Sequence, residues 1–361
     1  MKKVIFALAA VVALAACSQE EVIVADKGAA IGFDTFVENS TRSVNDPSFV
    51  MGGSNMFTEF GVFGAVENSP LFSNEKVYKS GDNWIYDHPQ YWIVGAKYNF
   101  AAVAPYNAYT NAQYASANYE GTTTLSFVNG YADDAKIATN GTTDLLYATT
   151  VDPIQGLAAS GTTTPANGKV QFNFRHVLSK VKFSFENAYN ASMATIKVYD
   201  VKINNAYASA DATFTTNSTA WANKQGTIVL DFGNASDNEA TTDKENAEVA
   251  YGYGKTYESL NERLMIPGEA TPLSNDTNAG YKVTFKVDLL VNGVTIKTYN
   301  HVAYANFTPV AGHAYDIKTA INASNIDPNN EQETIQFTVT AIGEWGTDDN
   351  GDAEGNNNKV M

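Results

Sequence analysis

The side chains able to do chemistry in this 361-residue sequence are scattered rather than grouped. His88, His176, His301 and His313 stand far apart, with neither a His-Glu-x-x-His spacing nor a Cys/His set that could surround a metal ion. Structural histidines at strand edges account for them. Gly254-Lys255-Thr256 ends like a phosphate loop, but Val249 stands where the loop's first glycine is required. Asp348-Asp349-Asn350-Gly351-Asp352 could attract calcium, yet its glycine is misplaced for an EF-hand, and the run reads as a solvated tail. No Gly-x-Ser-x-Gly elbow occurs. A carboxylate pair for glycoside hydrolysis is a three-dimensional partnership that spacing does not disclose, so a surface glycosidase stays as a reading without a motif. The expectation is a chain with no cofactor, no metal site and no catalytic residue, hence not an enzyme. One group is chemically distinctive by position: Cys17, the single thiol.

Cys17 follows Met1-Lys2-Lys3 and the apolar run Val4 to Ala16. A basic start, a short apolar stretch and small residues before a cut make a secretory signal over residues 1–16, too short for an ordinary membrane span. Leu14-Ala15-Ala16-Cys17 resembles the lipobox of bacterial lipoproteins, in which the thiol is acylated and the signal removed just before it. A single acyl chain holds a protein only marginally, so a lasting anchor needs several. With Cys17 acylated no disulfide can form, and packing must supply the stability. No later run of eighteen apolar residues exists, which leaves the lipid as the one expected membrane contact. The acidic Glu20-Glu21 just after the cysteine resembles the signal that sends Bacteroidetes lipoproteins to the outer face of the outer membrane.

The elements that position these residues are strands. Tyr (20) and Phe (19), with abundant Thr and Val, favour strands, while Gly and Asn supply turns, so the composition reads all-β. A net charge of −16 with scattered basic residues argues against nucleic acid and anionic membrane surfaces as partners. The length suggests two domains, placed at 43–168 and 169–346 because Gly156 to Gly168 reads as a connection. Residues 17–42 precede them, and 347–361 form an acidic, Gly/Asn-rich flexible tail.

Along the chain, Ile31, Phe33 and Val37 lie on one face of an alternating stretch that runs into the polar Glu38 to Ser43. The chain has three arginines. Arg175 falls in a strand pattern and Arg263 abuts Leu264-Met265-Ile266-Pro267, which leaves Arg42 best placed for an Arg-specific protease. A permanent first strand beside an idle arginine is the other reading. Asn107 to Gly121 is a turn-rich stretch carrying Tyr109, Tyr114 and Tyr119, whose faces could stack on sugar rings or pack the loop onto its own sandwich. From Val170 to Phe185 the apolar residues move from even positions (Phe172, Phe174) to odd ones (Val181, Phe183, Phe185). That switch requires a bulge, a bend or two strands around Val177 to Lys180, a place where the chain could change sheets. Asn292-Gly293 is a favoured two-residue turn that would set Val291 opposite Val294 and Leu289 opposite Ile296, all on one face. Ile335, Phe337, Val339, Ala341 and Trp345 alternate in a last strand.

Taken in order, the lipobox, Thr41-Arg42-Ser43, Phe60-Gly61-Val62-Phe63-Gly64, Asp144 to Ala148, Phe174 to Val181, Leu264 to Pro267, Gly312-His313-Ala314-Tyr315-Asp316-Ile317 and Ile335 to Trp345 resemble the fimbrillin-family lipoproteins of Bacteroidetes, the subunits of type V pili. The resemblance implies two tandem transthyretin-like β-sandwich domains with structural work to do. It further implies an N-terminal plug strand (Ile31, Phe33, Val37), a cut after Arg42 by an Arg-specific protease, and replacement of the plug by a terminal strand of a neighbouring pilus subunit. The matching donor candidate is the strand of Ile335, Phe337, Val339 and Trp345. The rival expectation is a monomeric surface lipoprotein that binds glycan or a host ligand through loops such as Tyr106 to Tyr119.

Overall fold

The computed structural model describes residues 27–37, 57–67, 69–106, 112–116, 123–127, 144–150, 154–155, 169–190, 194–215, 218–233, 235–236, 252–259, 261–273, 278–326 and 335–344. Cys17, Arg42, Tyr109, Tyr119, Trp345, the expected signal and the acidic tail lie outside them. The described chain is all-β apart from one helical turn at Ala323–Ile326.

The first unit comprises β1 (Lys27–Ala30), β2 (Gly32–Val37), β3 (Glu59–Val66), β4 (Ser69–Ser80), β5 (Asn83–Ile85), β6 (Tyr91–Ile93) and β7 (Lys97–Ala104). The chain then runs through β8 (Ala112–Ser116), β9 (Thr123–Phe127), β10 (Leu146–Thr149), β11 (Ile154–Gln155) and β12 (Lys169–His176). One sheet has the order β2-β12-β10-β7-β3-β4-β5, with β11 on β7, and a small second sheet pairs β1 with β6. Strands β3 and β7 are buried along almost their whole length, as continuous apolar strands should be when covered on both faces. Gly64 in β3 is needed for that packing, since a Cβ there would sit 2.9 Å from a ring carbon of Phe100 and 3.1 Å from one of Phe72.

The second unit is built from β13 (Ser179–Asn187), β14 (Ala194–Thr215), β15 (Ser218–Gly233), β16 (Ala235–Ser236), β17 (Thr256–Ser259), β18 (Arg263–Met265), β19 (Tyr281–Val291), β20 (Val294–Ala305), β21 (His313–Ile321) and β22 (Thr338–Glu344). Two sheets face one another. One runs β16-β17-β13-β21-β22 with β18 on β13, the other β20-β19-β14-β9-β8 with β15 on β14. Their inner faces meet through Phe183 on Phe232 (centroids 4.7 Å) and Phe185 on Phe285 (5.2 Å).

The parity switch is where the chain changes sheets. β12 pairs with β2 and β10 in the first unit, and after Val177 and Leu178 β13 pairs with β21, β17 and β18 in the second. Sheet membership therefore corrects the division expected at 168: Lys169–His176 belong to the first sheet, and Val170, Phe172 and Phe174 to its core. Alternation identifies a strand but does not say which sheet it joins. The stretch read as a turn-rich loop is corrected as well. Ala112–Ser116 is a strand, paired with Thr123–Phe127 in a sheet of the second unit, and it carries the backbone of Tyr114. Across the two units, Tyr147 stacks on Phe214 (4.8 Å) and donates to the Thr215 carbonyl (2.9 Å), and Trp221 donates to the Val177 carbonyl (3.2 Å).

The Asn292-Gly293 turn forms, both residues with positive φ and Val291 opposite Val294. A bulge between Leu289 and Leu290 then sets Leu289 opposite Lys297 rather than Ile296. Leu289 stays buried while Val294 and Ile296 are 63% and 57% exposed, so the four do not share one apolar face. The extra residue shifts parity so that Tyr299, Ala303 and Ala305 reach the core. Gly293 has φ +77° and no atom within 4 Å of a built Cβ, so Gly293→Ala isolates the backbone term. We expect a loss of about 1 kcal/mol in denaturant unfolding of the second unit.

Candidate functional site

The N-terminal segment enters the first unit twice. β1 pairs antiparallel with β6 (Lys27 opposite Ile93, Ala30 opposite Tyr91), and β2 then pairs in parallel with β12, from Gly32 opposite Lys169 to Val37 opposite Phe174. Ile31 lies between these two ladders. Ile31 and Phe33 are each 1% exposed, within the core of the first unit. For Val37 the structure places the backbone, paired in β2.

Five rings surround Phe33: Phe60 at 6.4 Å, Phe72 at 5.7 Å, Tyr86 at 5.5 Å, Phe100 at 6.2 Å and Phe172, stacked, at 5.8 Å. They come from β3, β4, the residue after β5, β7 and β12, so the sheet curls until its opposite edge reaches the N-terminal strand. A fully buried phenylalanine contributes about 2–3 kcal/mol through burial, and the edge-to-face pairs add to that. Outside the core the side-chain contacts are weak: Lys169 (3.4 Å) and Gln171 (3.5 Å) meet the half-exposed Asp34 carboxylate.

At the crossing, Tyr86 and Gln90 grip the main chain. The Tyr86 hydroxyl donates to the Ile31 carbonyl (2.7 Å) and accepts from the Gln90 N–H (3.1 Å), while the Ile31 N–H donates to the Gln90 carbonyl (2.8 Å). Burial raises the pKa of the Tyr86 phenol, so it stays a donor at ordinary pH. Sequence reasoning missed this pair. Tyr86-Asp87-His88-Pro89-Gln90 carries only turn signals, and its partner lies 55 residues away.

The candidate donor is corrected in extent and pattern. The strand is Thr338–Glu344, with Ile335 and Phe337 leading into it, and it forms the edge of its sheet, antiparallel to β21. Ile335 is buried, Phe337 packs on Phe183 (5.7 Å) and Phe285 (6.1 Å), and Val339 is half-buried. A bulge opposite Ala314 and Tyr315 then inverts the alternation, so that Ala341 is exposed and Ile342 buried. Of the other arginines, Arg175 lies in β12 opposite Tyr147 and Arg263 in β18 opposite Val181.

Among the described residues no helix is long and apolar enough to cross a membrane. Nor do the described residues bring together three or more side chains able to hold a metal ion.

No curated protein matches the chain. Among solved structures it is similar to a candidate cell adhesion protein from Bacteroides uniformis, with 14% identity, TM-score 0.43, 88% of this chain and 99% of that one covered. A candidate cell adhesion protein from Parabacteroides distasonis gives 12% identity and TM-score 0.45 over 89% of this chain and 98% of that one. The fimbrial anchor protein Mfa2 from Porphyromonas gingivalis gives 12% identity and TM-score 0.32 over 86% and 98%. The family model described as fimbrillin-like matches residues 41–345, most of the sequence, and the chain therefore belongs to the fimbrillin-like family.

Proposed function

We propose that this protein is a structural fimbrial subunit, exported as a lipoprotein precursor acylated at Cys17 and exposed at the outer membrane, that supports adhesion after assembly by strand exchange. Its N-terminal strand fills the first unit until an Arg-specific protease cuts after Arg42. A terminal strand from a neighbouring subunit then takes the vacated place. The observation that carries this reading is the burial, at 1% exposure each, of Phe33 in β2, which joins its sheet through a single ladder, and of Ile31 just before it, in a segment that precedes Arg42.

The physics favours exchange at this strand over any other. Removing β2 would expose the rings around Phe33 together with the free edge of β12, and an incoming strand satisfies both at once. The second unit has the corresponding parallel ladder, β13 on β21, but β13 is held in mid-chain, two residues after β12. Both arginines within the described residues lie in paired strands, where a protease cannot draw them out as an extended segment. For the donor, β22 is an edge strand, and Ile335-x-Phe337 repeats the spacing of Ile31-x-Phe33. Head-to-tail exchange that does not close on itself generates a filament.

The test is limited digestion of the purified protein with an Arg-specific protease, followed by size analysis. The expected result is a cut after Arg42 and a ladder of oligomers, with Arg42→Ala remaining uncut and monomeric. Oligomers formed equally well by Arg42→Ala, or a wild-type chain that is cut yet stays monomeric, would refute the reading.

A further inference from the structure

We infer that Tyr86 and Gln90 form a clasp that anchors the main chain of the strand in the groove and governs how fast it leaves. The inference deepens the proposed function and rests on its reading of β2 as a replaceable strand.

The clasp differs in kind from the rest of the groove. Phe33 is recognised by its shape, through five rings. The clasp reads only main chain: the Ile31 carbonyl accepts from the Tyr86 hydroxyl, and the Ile31 N–H donates to the Gln90 carbonyl. Both bonds fall on the residue between the β1–β6 and β2–β12 ladders, where the strand passes from one sheet to the other and where neither ladder pairs it. The Tyr86 ring also packs on Phe33 (5.5 Å) and Phe72 (5.6 Å), so its hydroxyl is held in place by the pocket that Phe33 fills. The Gln90 N–H, donating to the same oxygen, orients the phenol toward the strand.

Two consequences follow for the strand that can occupy this groove. Any extended peptide running parallel to β12 offers the clasp a carbonyl, so the clasp holds main chain without reading sequence, and register falls to the ring pocket. The pocket then requires a large ring two residues after the clasped carbonyl, the spacing of Ile31 to Phe33. Release needs the clasp to open as well as both ladders, because it sits between them and holds the strand when either ladder frays from its outer end.

The discriminating variant is Tyr86→Phe, which keeps the ring on Phe33 and Phe72 and removes only the hydroxyl. Amide hydrogen exchange on the uncut full-length chain reads the clasp without involving Arg42. The expected result is about a tenfold loss of protection over residues 27–37, with β3 and β7 unchanged. Unchanged protection over 27–37 overturns the inference, and so does a loss spread equally over β3 and β7, which would mark a general packing defect. In a second arm both proteins are cut with the Arg-specific protease and release of the N-terminal fragment is timed by mass spectrometry, with about tenfold faster release expected from Tyr86→Phe. Equal release rates overturn the inference. A wild-type fragment that is cut and never released refutes the strand-exchange reading, while the exchange experiment still decides the clasp.

Discussion

Phe33→Ala is expected to lower the stability of the first unit by about 3–5 kcal/mol, the range for emptying a phenylalanine site in a rigid core. The site cannot collapse to fill the gap. Phe60, Phe72, Phe100 and Phe172 are held on four separately paired strands, and Gly64 already allows Phe72 and Phe100 their closest approach to β3. The measurement is chemical denaturation followed by tryptophan fluorescence. Trp84 packs on Phe57 and Phe60, and Trp92 on Tyr98 and Phe100, so both report the first unit, whereas Trp221 packs on Phe214. The transition seen by Trp84 and Trp92 should move to lower denaturant. A loss below about 1 kcal/mol, the size of an ordinary surface change, would show that the strand is dispensable to the core and would remove the physical basis for exchange.

The second large effect is on pH dependence. His301 sits in β20 facing the core of the second unit, 6% exposed, its ring stacked on Phe285 (5.2 Å) and nearly parallel to Tyr299 (6.4 Å). Burial among these rings disfavours the imidazolium and lowers its pKa from 6.5 to about 4. In the unfolded chain the histidine protonates near its ordinary value, so between these pH values the unfolded state binds the proton and the folded state does not. Stability is therefore intact above pH 6.5 and declines as pH falls toward 4, by about 3 kcal/mol in all at 1.36 kcal/mol per unit. Asp316 acts in the opposite sense. Burial raises its pKa, against the pull of Lys182, Ser184 and Lys318, so it regains stability on protonation. His301→Phe separates the two contributions, because it keeps a ring in the stack and removes the titration. Unfolding curves of this variant between pH 7 and 4 should lose most of the wild-type decline. An unchanged slope would assign the acid sensitivity elsewhere.

The groove was legible from sequence only in part. Ile31 and Phe33 stand out by alternation, and the structure buries both. The grip on them was not legible, because Tyr86 and Gln90 sit among turn residues with no periodic pattern, and their importance appears only when β5 is folded back to the far edge of the sheet. The strand read as the candidate donor shows the reverse error. Its alternation is clean in sequence through Ala341, but the bulge at Ile342 inverts it, and a bulge answers to the partner strand rather than to the residues that carry it.

By itself the sequence determined what short-range chemistry determines: an all-β chain, strands where apolar residues alternate, a sheet change where parity switches near Val177, a tight turn at Asn292-Gly293, and an ordered set of motifs that marks its family. Only the tertiary structure decided which sheet each strand joins, placing β12 in the first unit and β8 beside β9 in the second. It alone decided where bulges reset the faces and which distant hydroxyl holds the N-terminal strand. The reason is that side-chain alternation is a property of one strand with period two, whereas sheet membership, register and the satisfaction of an unpaired carbonyl belong to pairs of strands far apart in the chain.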